Sequence, residues 1–120
     1  MRRLFTTLLT ISLVTLWLAP ALIAQDRAAM EQRLRTELAK ILKKDAAQLP
    51  LDKPVVGFGA KELDVIEWQM AAERTYRVDI SDDKLFDEKA KPIAVRKDLT
   101  ISSMAAVVAT AKPWPAGKTK

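Results

Sequence analysis

An uncharged apolar run from Leu4 to Ile23 separates the first residues of this chain from everything that follows. Arg2 and Arg3 precede the run, and small residues end it. Once the two ends of the chain are set aside, only about 85 residues remain to build a core, which is enough for one small domain. We therefore expect a single folded domain over residues 25–111.

A positively charged start, an apolar stretch and a small-residue end form the pattern of an export signal. Residues 1–24 are predicted to be a signal peptide, cleaved after Ala21 or Ala24. The alternative is an uncleaved anchor over residues 4–24, because about 20 apolar residues can span a bilayer. In both cases the folded part is expected to be exported, periplasmic or secreted, with membrane contact only through an uncleaved N-terminal segment.

The composition disfavours most catalytic and metal-binding chemistry. Cys and His are both absent. Their absence removes disulfides, thiolate chemistry, the commonest general base and the commonest nitrogen ligand for zinc. We therefore expect a protein that is not an enzyme and has no metal site. With 3 Gly among 120 residues, an all-β architecture with many tight turns is also disfavoured.

The spacing of apolar residues predicts four helical pieces. The first begins at Asp26, which is a suitable N-cap. The second begins near Lys61, after a long loop with two Pro and two Gly. A third can begin at Ser81, but Pro92 should stop it within about two turns. Thr100 can cap the last helix.

Two adjacent apolar stripes run along the predicted second helix. One stripe contains Leu63, Ile66 and Met70, and the other contains Trp68, Ala72 and Tyr76. Such a helix is either deeply buried or keeps one face for a partner. For Ile66 and Met70, burial in the core is expected of at least one.

The end of the chain has the composition of a flexible segment. Residues 112–120 hold two Pro, one Gly and three Lys, and they are predicted to form a disordered tail. Trp114 is the one residue that does not fit this prediction.

The segment from Gly57 to Glu67 resembles the prosthetic-group segment of acyl carrier proteins. It reads Gly-Phe-Gly-Ala-Lys-Glu-Leu-Asp-Val-Ile-Glu, where the family pattern is roughly Leu-Gly-Ala-Asp-Ser-Leu-Asp-x-Val-Glu. The resemblance continues without a gap to Asp83, and the Leu-Thr-Ile run that begins at Leu99 is similar to the start of the family's last helix. The stretch between Asp83 and Leu99 is longer than in the family.

The resemblance has a consequence for the chemistry of this chain. In acyl carrier proteins the Ser of this segment, at the start of a helix, is esterified by phosphopantetheine. Glu62 stands at that position, and a carboxylate cannot accept the phosphodiester. The resemblance therefore implies an all-α, small four-helix bundle of acyl-carrier-protein type without phosphopantetheine and without another cofactor.

Three roles are open for Glu62. A carboxylate in the first turn stabilises a helix by about 0.3 to 1 kcal/mol through unpaired backbone N–H groups and the helix dipole. Alternatively, Glu62 imitates the phosphate that relatives carry and presents a permanently modified-like surface to one partner. An acid or base role in catalysis is the third reading, and the lack of His and of a nearby nucleophile disfavours it.

The resemblance also points to a docking surface on the second helix, because Asp64 and Glu67 match acidic positions that relatives use against basic enzymes. Together with Glu73, the acidic residues would form a negative strip on that helix. The predicted partner-binding residues are Glu62, Asp64, Ile66, Glu67 and Met70. The alternative is an ordinary solvated helix face, since basic residues on the same helix dilute the strip.

The net charge adds little to the choice of partner. The chain carries +5, and removal of residues 1–24 leaves 18 basic and 15 acidic residues, a net charge of +3. This excess serves solubility or favours an anionic membrane surface or cell-wall polymer. No reader motif and no aromatic-basic interleaving is present in the sequence, so we expect no nucleic-acid partner.

These patterns predict an exported, non-catalytic interaction module that binds an unknown protein partner through its second helix. The alternative is a carrier that holds an acyl chain non-covalently in the helical core. In that case Phe58 and Trp68 would line the cavity.

Overall fold

The computed structural model of the protein describes residues 26–117. The described residues divide into two units, residues 26–30 and residues 31–117. Residues 26–30 are helical. The core and the candidate site belong to the second unit. The predicted signal peptide, residues 1–24, lies outside the described residues.

The described residues form three α-helices, three short 3-10 turns and four two-residue strands. The helices are α1 (residues 26–42), α2 (Glu62–Tyr76) and α3 (Ile101–Thr110). The strands are β1 (Val78–Asp79), β2 (Phe86–Asp87), β3 (Ala94–Val95) and β4 (Lys112–Pro113). The 3-10 turns are Ala46–Gln48, Val55–Phe58 and Asp82–Lys84.

Local signals in the sequence place the beginning and the end of the helices. Thr100 caps α3 as predicted: its Oγ1 accepts from the Ser103 N–H at 2.9 Å, and the Ser103 Oγ accepts from the Thr100 N–H at 2.8 Å. This reciprocal pair satisfies backbone donors that would otherwise be left without partners. The predicted second helix is also confirmed, and it ends at Arg77, which adopts a left-handed conformation with φ 56°.

The core lies where the three helices meet the 3-10 turns and the short strands. Trp68 of α2 is its largest fully buried side chain. The other large side chains that are fully buried are Leu34, Leu38, Leu49, Val55, Val65, Leu85, Ile101 and Met104. Because these residues come from every part of the second unit, no single helix pair accounts for the burial.

The segment after α2 folds into a hairpin rather than a third long helix. After the single 3-10 turn Asp82–Lys84, β2 and β3 pair antiparallel, with Phe86 opposite Val95. Phe86 and Val95 are buried, whereas the neighbouring Asp87 is exposed. Successive side chains of a strand point to opposite faces, which is consistent with the burial of Phe86 and the exposure of Asp87.

The predicted all-α four-helix bundle is therefore wrong, because the described chain is a mixed α/β domain with three helices and two small antiparallel sheets. Helix formation after Ser81 stops after one turn, and Pro92 removes a backbone donor from any longer helix. Leu85 and Phe86 are nevertheless buried. Leu85 reaches the core from a turn and Phe86 from β2, where it lies opposite buried Val95.

Part of the predicted tail is paired with the body of the domain. β4 lies antiparallel to β1, with Val78 opposite Pro113. The Trp114 N–H donates to the Arg77 carbonyl at 2.8 Å, and the Trp114 Nε1 donates to the Asp79 carboxylate at 3.1 Å. Trp114 thus fastens the chain end to the residues that follow α2.

A search for membrane-spanning helices within residues 26–117 finds none of sufficient length and apolarity.

Candidate protein-interaction face on the second helix

Helix α2 has one buried face and one face that is open to solvent. Val65, Trp68 and Ala72 are fully buried on the inner face. On the outer face, Leu63 is 72% exposed, Ile66 is 40% exposed and Met70 is 50% exposed. These three residues, spaced three and four apart, form a continuous apolar row that we call the α2 stripe. The expected core burial of Ile66 or Met70 is therefore wrong.

The outer face is held in place by hydrogen bonds on the inner face. The Trp68 Nε1 donates to the Leu34 carbonyl of α1 at 3.0 Å. The Gln69 Nε2 donates to the Ile80 carbonyl at 3.0 Å, and the Glu73 Oε2 accepts from the Ile80 N–H at 3.0 Å. Because these hydrogen bonds fix α2 to α1 and to the segment around Ile80, the α2 stripe is presented on a rigid element.

The predicted negative strip is only partly present. Glu62 and Glu67 are exposed on α2. Asp64 is half-buried, and its Oδ2 accepts from the Lys61 N–H at 2.9 Å, so this carboxylate serves the start of the helix. Glu73 is buried and is used inside the domain. The acidic surface therefore consists of Glu62 and Glu67 on either side of Leu63.

Glu62 is the first residue of α2, at the helix start that the resemblance implies for the modified Ser. The N-cap is Lys61, whose side chain offers no acceptor to the first-turn N–H groups. A carboxylate at Glu62 is favourable beside these groups and the positive end of the helix dipole. Phosphate imitation at the same place stays a prediction.

An open cleft of about 780 Å³ lies at the N-terminal end of α2. Apolar side chains and three exposed lysines from three separate segments line it. We call this feature the basic cleft; its lining residues are Lys53, Pro54, Val56, Gly57, Phe58, Ala60, Lys61, Glu62, Ala94, Val95 and Lys97. Sequence reasoning missed the cleft, because its residues are brought together only by the fold.

The two side chains predicted to line an acyl-chain cavity, Phe58 and Trp68, do not both line the basic cleft, and the binding of an acyl chain stays a prediction. Phe58 lines the basic cleft, whereas Trp68 is fully buried in the packed core and is absent from the cleft lining. The structure thus does not bring these two side chains together around the cleft. No cluster of three or more metal-ligating side chains occurs in residues 26–117.

Two exposed carboxylates near the hairpin, Asp83 and Asp98, accept hydrogen bonds from side chains only two residues away. Arg96 donates to the Asp98 carboxylate at 3.1 Å, and this hydrogen bond holds the pKa of Asp98 below its ordinary value. A hydrogen bond from the Ser81 hydroxyl likewise lowers the pKa of Asp83. Both carboxylates are in solvent, where such pairs contribute little to stability.

The one Tyr of the chain gives a direct test of the α1–α2 contact. Burial of Tyr76 raises the pKa of its phenol above 10.0, and the nearby Glu37 carboxylate raises it further, while Arg33 opposes. We expect tyrosinate absorbance to titrate at higher pH in the folded protein than in denaturant. Glu37→Gln should reduce this difference, and Glu88→Gln, on the hairpin, should leave it unchanged.

The raised pKa of Tyr76 determines how its ionisation changes the stability of the fold with pH. The folded state holds the Tyr76 proton more tightly, so this contribution to stability is present below the unfolded pKa of 10.0 and is lost as pH rises through the folded value. Equal titration midpoints in the folded and denatured protein would contradict the assigned burial.

Comparison of the chain with protein-family models, with curated proteins and with solved structures finds no match. A proposal for the function of this chain therefore has to start from the geometry of the second unit.

Proposed function

We propose that this chain is an exported, non-catalytic interaction module in which Glu62 stands where acyl carrier proteins have the attachment Ser. A protein partner binds the α2 stripe, and no covalent bond is made or broken. The observation that carries this proposal is the exposure of Leu63, Ile66 and Met70 on one face of a helix whose other face is fully buried.

The three exposed side chains are clustered on one face of α2. Single exposed apolar residues are common on protein surfaces, but a contiguous apolar row with a polar rim is typical of an interaction site. Full burial of a Leu, Ile or Met side chain is worth about 1.5–3 kcal/mol. Because α2 is already fixed to the domain, binding orders few additional groups.

Charged residues surround the α2 stripe, with acidic groups toward the start of the helix and a basic group toward its end. Glu67 lies beside Leu63 and Met70 on the exposed surface of α2, and Glu62 lies at its start. Arg74 follows on the exposed side toward the end of the helix. Exposed charges of this kind set orientation and association rate more than affinity.

Met70→Asp tests the proposal, because it places a charge at the C-terminal end of the α2 stripe, at a position that is 50% exposed. We expect the affinity for the partner to fall at least about tenfold, the size of a modest hot-spot loss. Ala106→Asp, at an exposed position on α3, is the matched control, and it should change the affinity less than about twofold.

The partner is first identified in the native host by photo-crosslinking from Met70, and the dissociation constant is then measured with both purified proteins. Circular dichroism checks that both variants keep the helical content of the parent protein. Equal affinities of Met70→Asp and Ala106→Asp would contradict the α2 stripe as the binding surface.

A further inference from the structure

The basic cleft joins three parts of the chain that are distant in sequence. Lys53 and Val56 come from the loop before α2, Lys61 from the helix start, and Val95 and Lys97 from the end of the hairpin. Val56 is 39% exposed, so the apolar wall of the cleft is partly in contact with water. An apolar wall beside several charged groups is a typical composition for a recognition site.

The charge of the cleft is unbalanced. Its lining holds three Lys and one acidic residue, Glu62. In the described part of the chain, Arg33 and Arg96 form salt bridges, whereas the lysines of the cleft form none. Three like charges around one depression favour an anionic occupant, which would also cover the apolar wall.

The basic cleft lies at the end of α2 where the α2 stripe begins. Glu62 lines the cleft, and Leu63, the first residue of the stripe, directly follows it in α2. From Leu63 to Met70 the helix rises only about 10 Å. One partner segment of ordinary length can therefore lie along the stripe and extend into the cleft.

We infer that the partner carries Asp or Glu residues next to the apolar residues that contact the α2 stripe, and that these acidic residues bind in the basic cleft. This inference rests on the proposed function and specifies the partner's chemistry and direction: the acidic end lies over the N-terminal end of α2. The open form of the cleft suits a polypeptide segment, because an extended chain can enter from the side. Its lysines accelerate association with an acidic segment in a salt-dependent manner.

The test uses the full chain in its native host, with a photo-crosslinking residue at Val56 in the cleft or at Met70 on the stripe. Both positions are expected to capture the same protein. Mass spectrometry of the crosslinked peptides should place Asp or Glu within a few residues of the Val56 adduct, and an apolar residue at the Met70 adduct.

A charge reversal then measures the contribution of the cleft with the purified pair. The double variant Lys53→Glu/Lys97→Glu should weaken binding at least about tenfold at low salt, and the loss should shrink as ionic strength rises. Lys40→Glu/Lys112→Glu makes the same change of net charge at exposed positions on α1 and β4. It should weaken binding less than about threefold.

The outcomes separate this inference from the proposed function. A partner captured from Met70 but not from Val56, a Val56 adduct without nearby acidic residues, or equal losses in the two double variants would overturn the cleft inference alone. An adduct of Val56 with lipid or nucleic acid would do the same. Capture at neither position would remove both proposals.

Discussion

Replacing Trp68 by Ala is expected to lower the free energy of unfolding by about 3–5 kcal/mol, the cost of emptying a large aromatic position in a packed core. Trp68 is the largest fully buried side chain, and its Nε1 donates to the Leu34 carbonyl at 3.0 Å. Since small domains have total stabilities of about 5–15 kcal/mol, this loss would remove a large fraction of the total stability. Chemical denaturation followed by circular dichroism measures the effect.

Two further variants distinguish packing from hydrogen bonding at this position. Trp68→Phe keeps most of the ring volume and removes the indole N–H, so a smaller loss of roughly 1–2 kcal/mol is expected. Met70→Ala changes an apolar residue on the outer face of the same helix and should stay within about 0.5 kcal/mol of the parent protein. Similar losses for all three variants would contradict the division of α2 into two faces.

The positions of the helices could be predicted from the sequence because their signals are local. The apolar spacing of α1 and α2 predicts that both segments are helical. Thr100 marks the start of α3 through a cap that involves only Ser103, three residues away. Such signals do not require knowledge of what lies on the other side of the core.

The strands could not be predicted in the same way. Each has two residues, too few for an alternating pattern to be recognised in the sequence. The pairing of Val78 with Pro113 joins residues that are far apart in the chain. The tail prediction relied on composition, whereas the order at Trp114 comes from its bonds with Arg77 and Asp79. Tertiary contact overrides local preference at these positions.

The candidate site was predicted in part. Ile66, Met70, Glu62 and Glu67 are exposed on α2, as a docking surface requires, and their role in binding stays a prediction. Periodicity alone could not decide which of the two apolar stripes would be buried, since adjacent stripes have the same spacing. The sequence also gave no signal for the basic cleft, because its three lysines come from separate segments.

Glu73 shows how an acidic residue of the predicted strip serves the fold. It is buried, and its Oε2 accepts from the N–H of buried Ile80, while Gln69, one turn earlier, donates to the carbonyl of the same residue. Two side chains of α2 thus supply the backbone partners that a neighbouring strand would otherwise provide. A helix wheel cannot reveal this use, since the partner lies in the segment after α2.

Glu73→Ala is therefore expected to lower the free energy of unfolding by about 1–3 kcal/mol, because it leaves the buried Ile80 N–H without this acceptor. Glu73→Gln keeps an acceptor oxygen of the same reach and should cost clearly less. Gln69→Ala removes the second side-chain hydrogen bond to the Ile80 backbone. The double variant with Glu73→Ala should be less destabilised than the sum of the two single variants, since either loss alone releases Ile80. Chemical denaturation of the four proteins measures this coupling. Strictly additive losses of unfolding free energy, or an equal loss for Glu73→Gln and Glu73→Ala, would show that these two hydrogen bonds do not hold the chain after α2.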